Sequence, residues 1–164
     1  MSECDKRWSR LIELDSVAND QIGDFLGACS ADAIELIRRS LRTGGGRERD
    51  CSFRAVELLD PDQRQELLPE LVALACEPSY VPTILRSRHL ILEIPRGWLS
   101  QHIETVAEPL LSSSDEWIYR RLLELYAQID QSVTLRLAKR AAAHPNSEIR
   151  EAGAEFIANP APRQ

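Results

Sequence analysis

The chain has 164 residues, of which 43% are apolar and 28% charged. This is the composition of an ordinary globular domain, long enough to bury a core without disulfides or metal. No apolar run approaches the roughly 20 residues that cross a bilayer, and a net charge of −6 makes the chain a poor ligand for phosphate backbones, so neither a membrane nor a nucleic acid is the expected partner. The opening MSECDKRWSRLIELD mixes acids, bases and a Trp where a signal peptide needs an unbroken apolar stretch, and the expected compartment is the cytoplasm.

Apolar spacing is helical along almost the whole chain and alternates nowhere over a strand length, which predicts an all-α fold. A first helix is expected from Lys6 to Leu14 and, after a break, a second from Ala18 to Cys29, with Ile22, Phe25, Leu26 and Cys29 on one face. Residues 1–29 would then form an N-terminal cap. Ala31–Thr43 and Cys51–Leu59 follow as a hairpin joined by a flexible linker, Gly44–Asp50, because three consecutive glycines weaken a helix. Asp60, Pro61 and Gln63 offer a helix start, and that helix is expected to run unbroken to Ala75 or Cys76 and stop at Glu77-Pro78.

The next predicted helix is Tyr80–Ile94, ended by Pro95-Arg96-Gly97, and then Trp98–Leu111, ended by Ser112-Ser113-Ser114-Asp115. Ile118, Leu122, Leu125 and Ile129 form the inward stripe of Glu116–Ile129. Asp130 or Ser132 caps a helix to Ala143, the turn His144–Ser147 follows, and Ser147–Ala158 is the last helix before a disordered tail at 159–164. The copies Glu66–Ile94, His102–Ile129 and Thr134–Ile157 recur at about thirty residues, the mark of an α-solenoid of antiparallel hairpins. The whole of 1–164 reads as one such domain, with four hairpins over 30–158.

Within these copies HPNSEIREAGAEFIA (144–158) closely resembles a HEAT repeat of the short bacterial type, in which turn residues precede an Ile-Arg or Val-Arg pair and small residues. SFRAVELL (52–59) matches in part. The middle copies keep the apolar position at Val81 and Ile118 but replace the Arg-plus-small run. The resemblance implies that the second helix of each hairpin lines a concave face suited to a helix or an extended peptide. Fold alone carries no activity.

On Tyr80–Ile94 the core side reads as Val81, Ile84, Ile91 and Ile94, leaving Pro82, Arg86, His89 and Glu93 as a polar stripe. On Glu116–Ile129 the stripe is Glu116, Arg120, Glu124 and Gln128. The candidate partner-binding residues are Arg86, His89, Glu93, Tyr119, Arg120 and Glu124, set against a plain solvated face of weak ion pairs. Arg88 and Arg121 flank the apolar sides, where their stems cover core surface while the charges stay wet. Trp98, Trp117 and Tyr119 read as plugs between hairpins, or alternatively as interface anchors. Cys4, Cys29, Cys51 and Cys76 show no CxxC and no nearby His ligand, and are expected as small buried residues.

His89, His102 and His144 are isolated, and Gly44–Gly46 lacks the GK[ST] ending of a phosphate loop. No cofactor, metal or catalytic residue is therefore expected. The leading expectation is a non-enzymatic adaptor that binds another protein. The alternatives are a HEAT-like nucleic-acid-processing enzyme, an immunity-type inhibitor, or a helper of a cofactor protein.

Overall fold

A computed structural model describes residues 3–77, 80–113 and 115–159. Within these residues the fold is all-helical, with no strand. Pro78, Ser114 and the tail from Pro160, expected as helix stops and a disordered end, lie outside the described residues. Contacts divide the chain into two compact units, Met1–Asp60 and Pro61–Gln164.

The first unit holds α1 (Glu3–Ala28), α2 (Ser30–Thr43) and α3 (Gly46–Leu58), each packed on the other two. The expected break between Leu14 and Ala18 is absent. Asp15 and Ser16 are tolerated in the interior of a 26-residue helix, and Asp15 accepts a hydrogen bond from Arg54 of α3 that holds the helix against its neighbour. The expected Gly44–Asp50 linker is also mostly helix, since only Gly44 and Gly45 stand between α2 and α3. Gly44 closes α2 with its N–H on Ser40 O, a close approach that a Cβ would obstruct. The Glu48 carboxylate accepts from the Gly45 N–H at 3.2 Å, so the glycines bound a helix rather than interrupt one. Ile37, Leu41, Phe53 and Val56 form the buried centre.

In the second unit the helix expected over residues 61–75 is two: α4 (Pro61–Gln65) and α5 (Leu68–Ala75). The cause is Pro69, whose nitrogen cannot donate to the Gln65 carbonyl one turn back and whose ring crowds it, so Pro69 is accepted only in the first turn of a new helix. Around Glu66 and Leu67 the chain tightens into i→i+3 bonds, Glu66 N–H to Gln63 O and Leu67 N–H to Arg64 O. Then come α6 (Val81–Leu92), α7 (Arg96–Leu111), α8 (Glu116–Ile129), α9 (Gln131–Ala142) and α10 (Ser147–Ala158). Three side-chain caps start the last three. Asp115 accepts from the N–H groups of Trp117 and Ile118, Asp130 from those of Ser132 and Val133, and Asn146 from those of Glu148 and Ile149.

Helix α5 packs on α6, α7 on α8 and α9 on α10, while α5 also meets α7, α6 meets α8, and α8 meets α10. Leu71, Ile91, Leu99, Ile103, Leu122 and Leu125 are among the fully buried residues of this core. Tyr126 is buried too and donates its hydroxyl to Ile103 O at 3.2 Å, joining α8 to α7. Burial pushes its phenol pKa up, as loss of water penalises the anion.

Candidate interaction surface

The polar stripes expected to face a partner are tied together by the fold. Arg88 of α6, whose side chain is only 12% exposed, donates to Glu124 of α8 at 2.7 Å and to Arg121 O at 3.1 Å. Its charge is therefore paired between helices, a correction to the expectation that it stays wet. Glu124 also accepts from Arg121 at 3.2 Å. Arg120 donates to Glu155 of α10 at 3.0 Å. Glu93 takes Arg64 of α4 on one carboxylate oxygen and lies 3.2 Å from His89 Nε2 through the other. Two further pairs cross from α7 to α9. Glu104 receives Arg136 Nε and Nη2 at 3.1 and 2.7 Å, and Glu108 receives both terminal nitrogens of Arg140.

Of the six sequence-predicted contact residues, Glu93, Arg120 and Glu124 thus hold neighbouring helices together. Tyr119 is 1% exposed and packs its ring 5.4 Å from that of His144, so it cannot be presented to a partner. Arg86 is half-buried, and His89 is exposed. Trp98 is half-buried and stacks on His102 at 4.1 Å between ring centroids.

The structure exposes large apolar side chains near the starts of two helices. Val81 and Leu85 of α6 are each 60% exposed and Trp117 of α8 is 56% exposed, which corrects both the inward placement of Val81 and the plug role of Trp117. Val81 lies nine residues from the buried Leu90, and Trp117 nine from the buried Tyr126. At 3.6 residues per turn that is two and a half turns, so neither pair can share a face; this signal was present in the sequence. Val81 and Leu85 precede Arg88 by seven and three residues, and Trp117 precedes Arg121 and Glu124 by four and seven. On each helix these spacings put the apolar side chains on the same side as the ion pair. Short connections make consecutive helices antiparallel, so α6 and α8 run the same way and the exposed apolar groups of both lie toward their N-terminal ends.

Beneath the pair sits Cys76, 2% exposed, whose thiol is pushed up to about 12 by burial against the opposing pull of Arg88 and Arg121. Cys4, Cys29 and Cys51 are exposed, against the expectation that all four cysteines are buried. They lie on or beside the amphipathic helices of the smaller first unit, outside its apolar centre. Among the described residues no group of three or more His, Cys, Asp or Glu is placed to hold a metal ion.

The first unit carries an open apolar groove of about 870 Å³ between its three helices. Ile22 and Phe25 of α1, Leu36 and Ile37 of α2, and Ala55 of α3 line it, with Arg39, Arg47 and Arg54 among its polar residues. No protein-family model, curated protein or solved structure matches the chain.

Proposed function

We propose that this chain is a non-enzymatic protein-interaction module, built of HEAT-like helical hairpins, that binds a polypeptide over the exposed side of α6 and α8. The observation that carries the reading is the exposure of Val81, Leu85 and Trp117, each by more than half, on the two helices that the Arg88–Glu124 pair ties together. Trp is among the residue types enriched in binding hot spots, and the apolar Val81 and Leu85 would serve as the surrounding contacts that exclude water, whereas bound rim charges add little affinity. The hairpin reading is supported by the pairing of α5 with α6, α7 with α8 and α9 with α10, and by the stacking of α6, α8 and α10. In this reading Arg86 and His89 supply the polar rim, while Glu93, Arg120 and Glu124 act through the helices they brace.

The test is selection of a displayed peptide library against the immobilised protein, followed by Kd measurement on the enriched peptides. Peptides with apolar anchors should enrich, and Leu85→Ser with Trp117→Ser should weaken them at least about tenfold. Leu135→Ser, at an exposed site on α9, should leave Kd unchanged. Equal affinity for the wild type and the double variant would refute the assignment.

A further inference from the structure

The apolar groove of the first unit also carries charge that the fold leaves unused. Arg39 of α2 and Arg47 of α3 line it, both solvent-exposed, and neither makes an ion pair or a side-chain hydrogen bond with another described residue. Other arginines are spent on the fold, Arg54 on Asp15, Arg88 on Glu124 and Arg120 on Glu155. The acids that line the groove do not take up the two free charges: Glu48 accepts from the Gly45 N–H, and Asp50 is engaged within the chain. Two guanidinium groups thus stay open to an incoming anion. They and the apolar wall occupy different stretches. Arg39 lies near the end of α2 and Arg47 in the first turn of α3, on either side of the Gly44-Gly45 turn. Leu36 is seven residues back from Thr43, about 10 Å along the helix, and Ala55 is eight residues on from Arg47, about 12 Å. Ile22 and Phe25 of α1 complete the apolar wall, and Arg54, the charge beside Ala55, is neutralised by Asp15. The groove is cationic at one end and apolar beyond it.

We propose that this groove binds a monoanionic amphiphile, an alkyl carboxylate, with its head group on Arg39 and Arg47 and its tail along Ile22, Phe25, Leu36 and Ala55. The planar guanidinium presents paired N–H donors that match a carboxylate. The volume of about 870 Å³ falls in the range of about 300–1,000 Å³ usual for small-molecule sites. An alkyl tail asks for no hydrogen bonds, and these walls have few to give, because the backbone groups of all three helices are spent within the helices. The single charge follows from the acids nearby. Glu48 adjoins Arg47 in sequence and Asp50 lies three residues beyond it, both on the groove, so a dianionic phosphate ester would meet about twice the repulsion that a carboxylate meets.

Isothermal titration calorimetry of the full chain with dodecanoate, kept below its micelle concentration, should show saturable binding at one site. Dodecanoate should bind about tenfold more tightly than decanoate, because two further methylenes are buried. Dodecyltrimethylammonium, with the same tail and the opposite charge, should bind at least about tenfold more weakly, and dodecyl phosphate should bind no more tightly than dodecanoate. Arg39→Gln/Arg47→Gln should weaken dodecanoate at least about tenfold. Both side chains are exposed, so far-UV circular dichroism of this variant should match the wild type. Arg96→Gln, at the start of α7 and outside the groove, serves as the control and should bind normally. Bound dodecanoate should slow alkylation of Cys51, which lines the groove, and leave that of Cys4 unchanged. No saturable binding of dodecanoate, equal affinity for the cationic amphiphile, unchanged affinity in the double variant, tighter binding of dodecyl phosphate, or an unprotected Cys51 would each overturn the proposal.

Discussion

Gly153 gives the sharpest test of how closely α9 and α10 approach. A Cβ placed there would stand 2.4 Å from Ala142 N, 2.6 Å from Ala138 O and 2.9 Å from Ala141 C. All three are backbone atoms of α9, so no side chain can swing aside to make room. Intrinsic propensity alone would favour Ala over Gly inside a helix by ~1 kcal/mol. Restoring ordinary contact distances requires the two helices to part by about an ångström, and overpacking of this kind costs ~1–3 kcal/mol and at times more. Because even the propensity gain is small against a clash with rigid backbone, Gly153→Ala should lose ~1–3 kcal/mol net. Urea denaturation should show the midpoint falling at unchanged slope. Gly97→Ala, near the start of α7 with nothing within 4 Å of its Cβ position, should be neutral or gain up to ~1 kcal/mol. A Gly153→Ala protein as stable as Gly97→Ala would refute the close approach.

Glu124→Ala should cost ~1–3 kcal/mol in urea denaturation, more than a solvated carboxylate would, because Arg88 is left largely buried without its partner; Leu125→Ala, fully buried beside it, should cost ~2–5 kcal/mol. Native-state alkylation followed by mass mapping should label Cys4, Cys29 and Cys51 but spare Cys76, whose buried thiol stays protonated at neutral pH. Glu108 is held below its ordinary range by hydrogen bonding from Arg140, and Asp130 by the Ser132 hydroxyl and then the Val133 N–H. A carboxylate pKa depressed by folding adds stability above its ordinary range and loses it as pH falls through the folded value. The melting temperature of Glu108→Gln/Asp130→Asn should therefore fall less steeply on acidification below about pH 4.5 than that of the wild type.

The parts of the fold legible in the sequence were those set by local chemistry. Glu116–Ile129 and Ser147–Ala158 appear with the expected bounds, because Asp115 and Asn146 cap their first turns and the apolar stripe continues to their last. Where reading failed, the deciding interaction lay elsewhere. Asp15 looks like a helix interruption until Arg54, 39 residues on, is seen to hold it. Gly45 looks like a hinge until Glu48 is seen on its N–H. Pro69 is a local signal masked by the leucines around it, which keep a helical period. Val81 departs from the period set by Ile84, Ile91 and Ile94 because extending that period one turn earlier enters a first turn whose outer side faces solvent.

The ion pairs could not be assigned from sequence, yet their spacing agrees with a feature that could. Arg88–Glu124, Arg120–Glu155, Glu104–Arg136 and Glu108–Arg140 join residues 36, 35, 32 and 32 positions apart. Those separations are close to the thirty-residue recurrence of the helical segments, because each pair joins helices that hold corresponding places in successive helix pairs. Charges four apart on one helix, such as Glu104 with Glu108 and Arg136 with Arg140, would repel their like neighbours if each helix stood alone. Set against the next helix they become two parallel bridges, and the repulsion within each helix becomes attraction between them. Most of these groups are a third or more exposed, so each bridge contributes little stability. Their larger effect is on register: sliding α9 by one turn along α7 would break one bridge outright and leave a like-charged group without its counterion. The same bracing keeps α6 and α8 from rotating, and so fixes the direction in which Val81, Leu85 and Trp117 face.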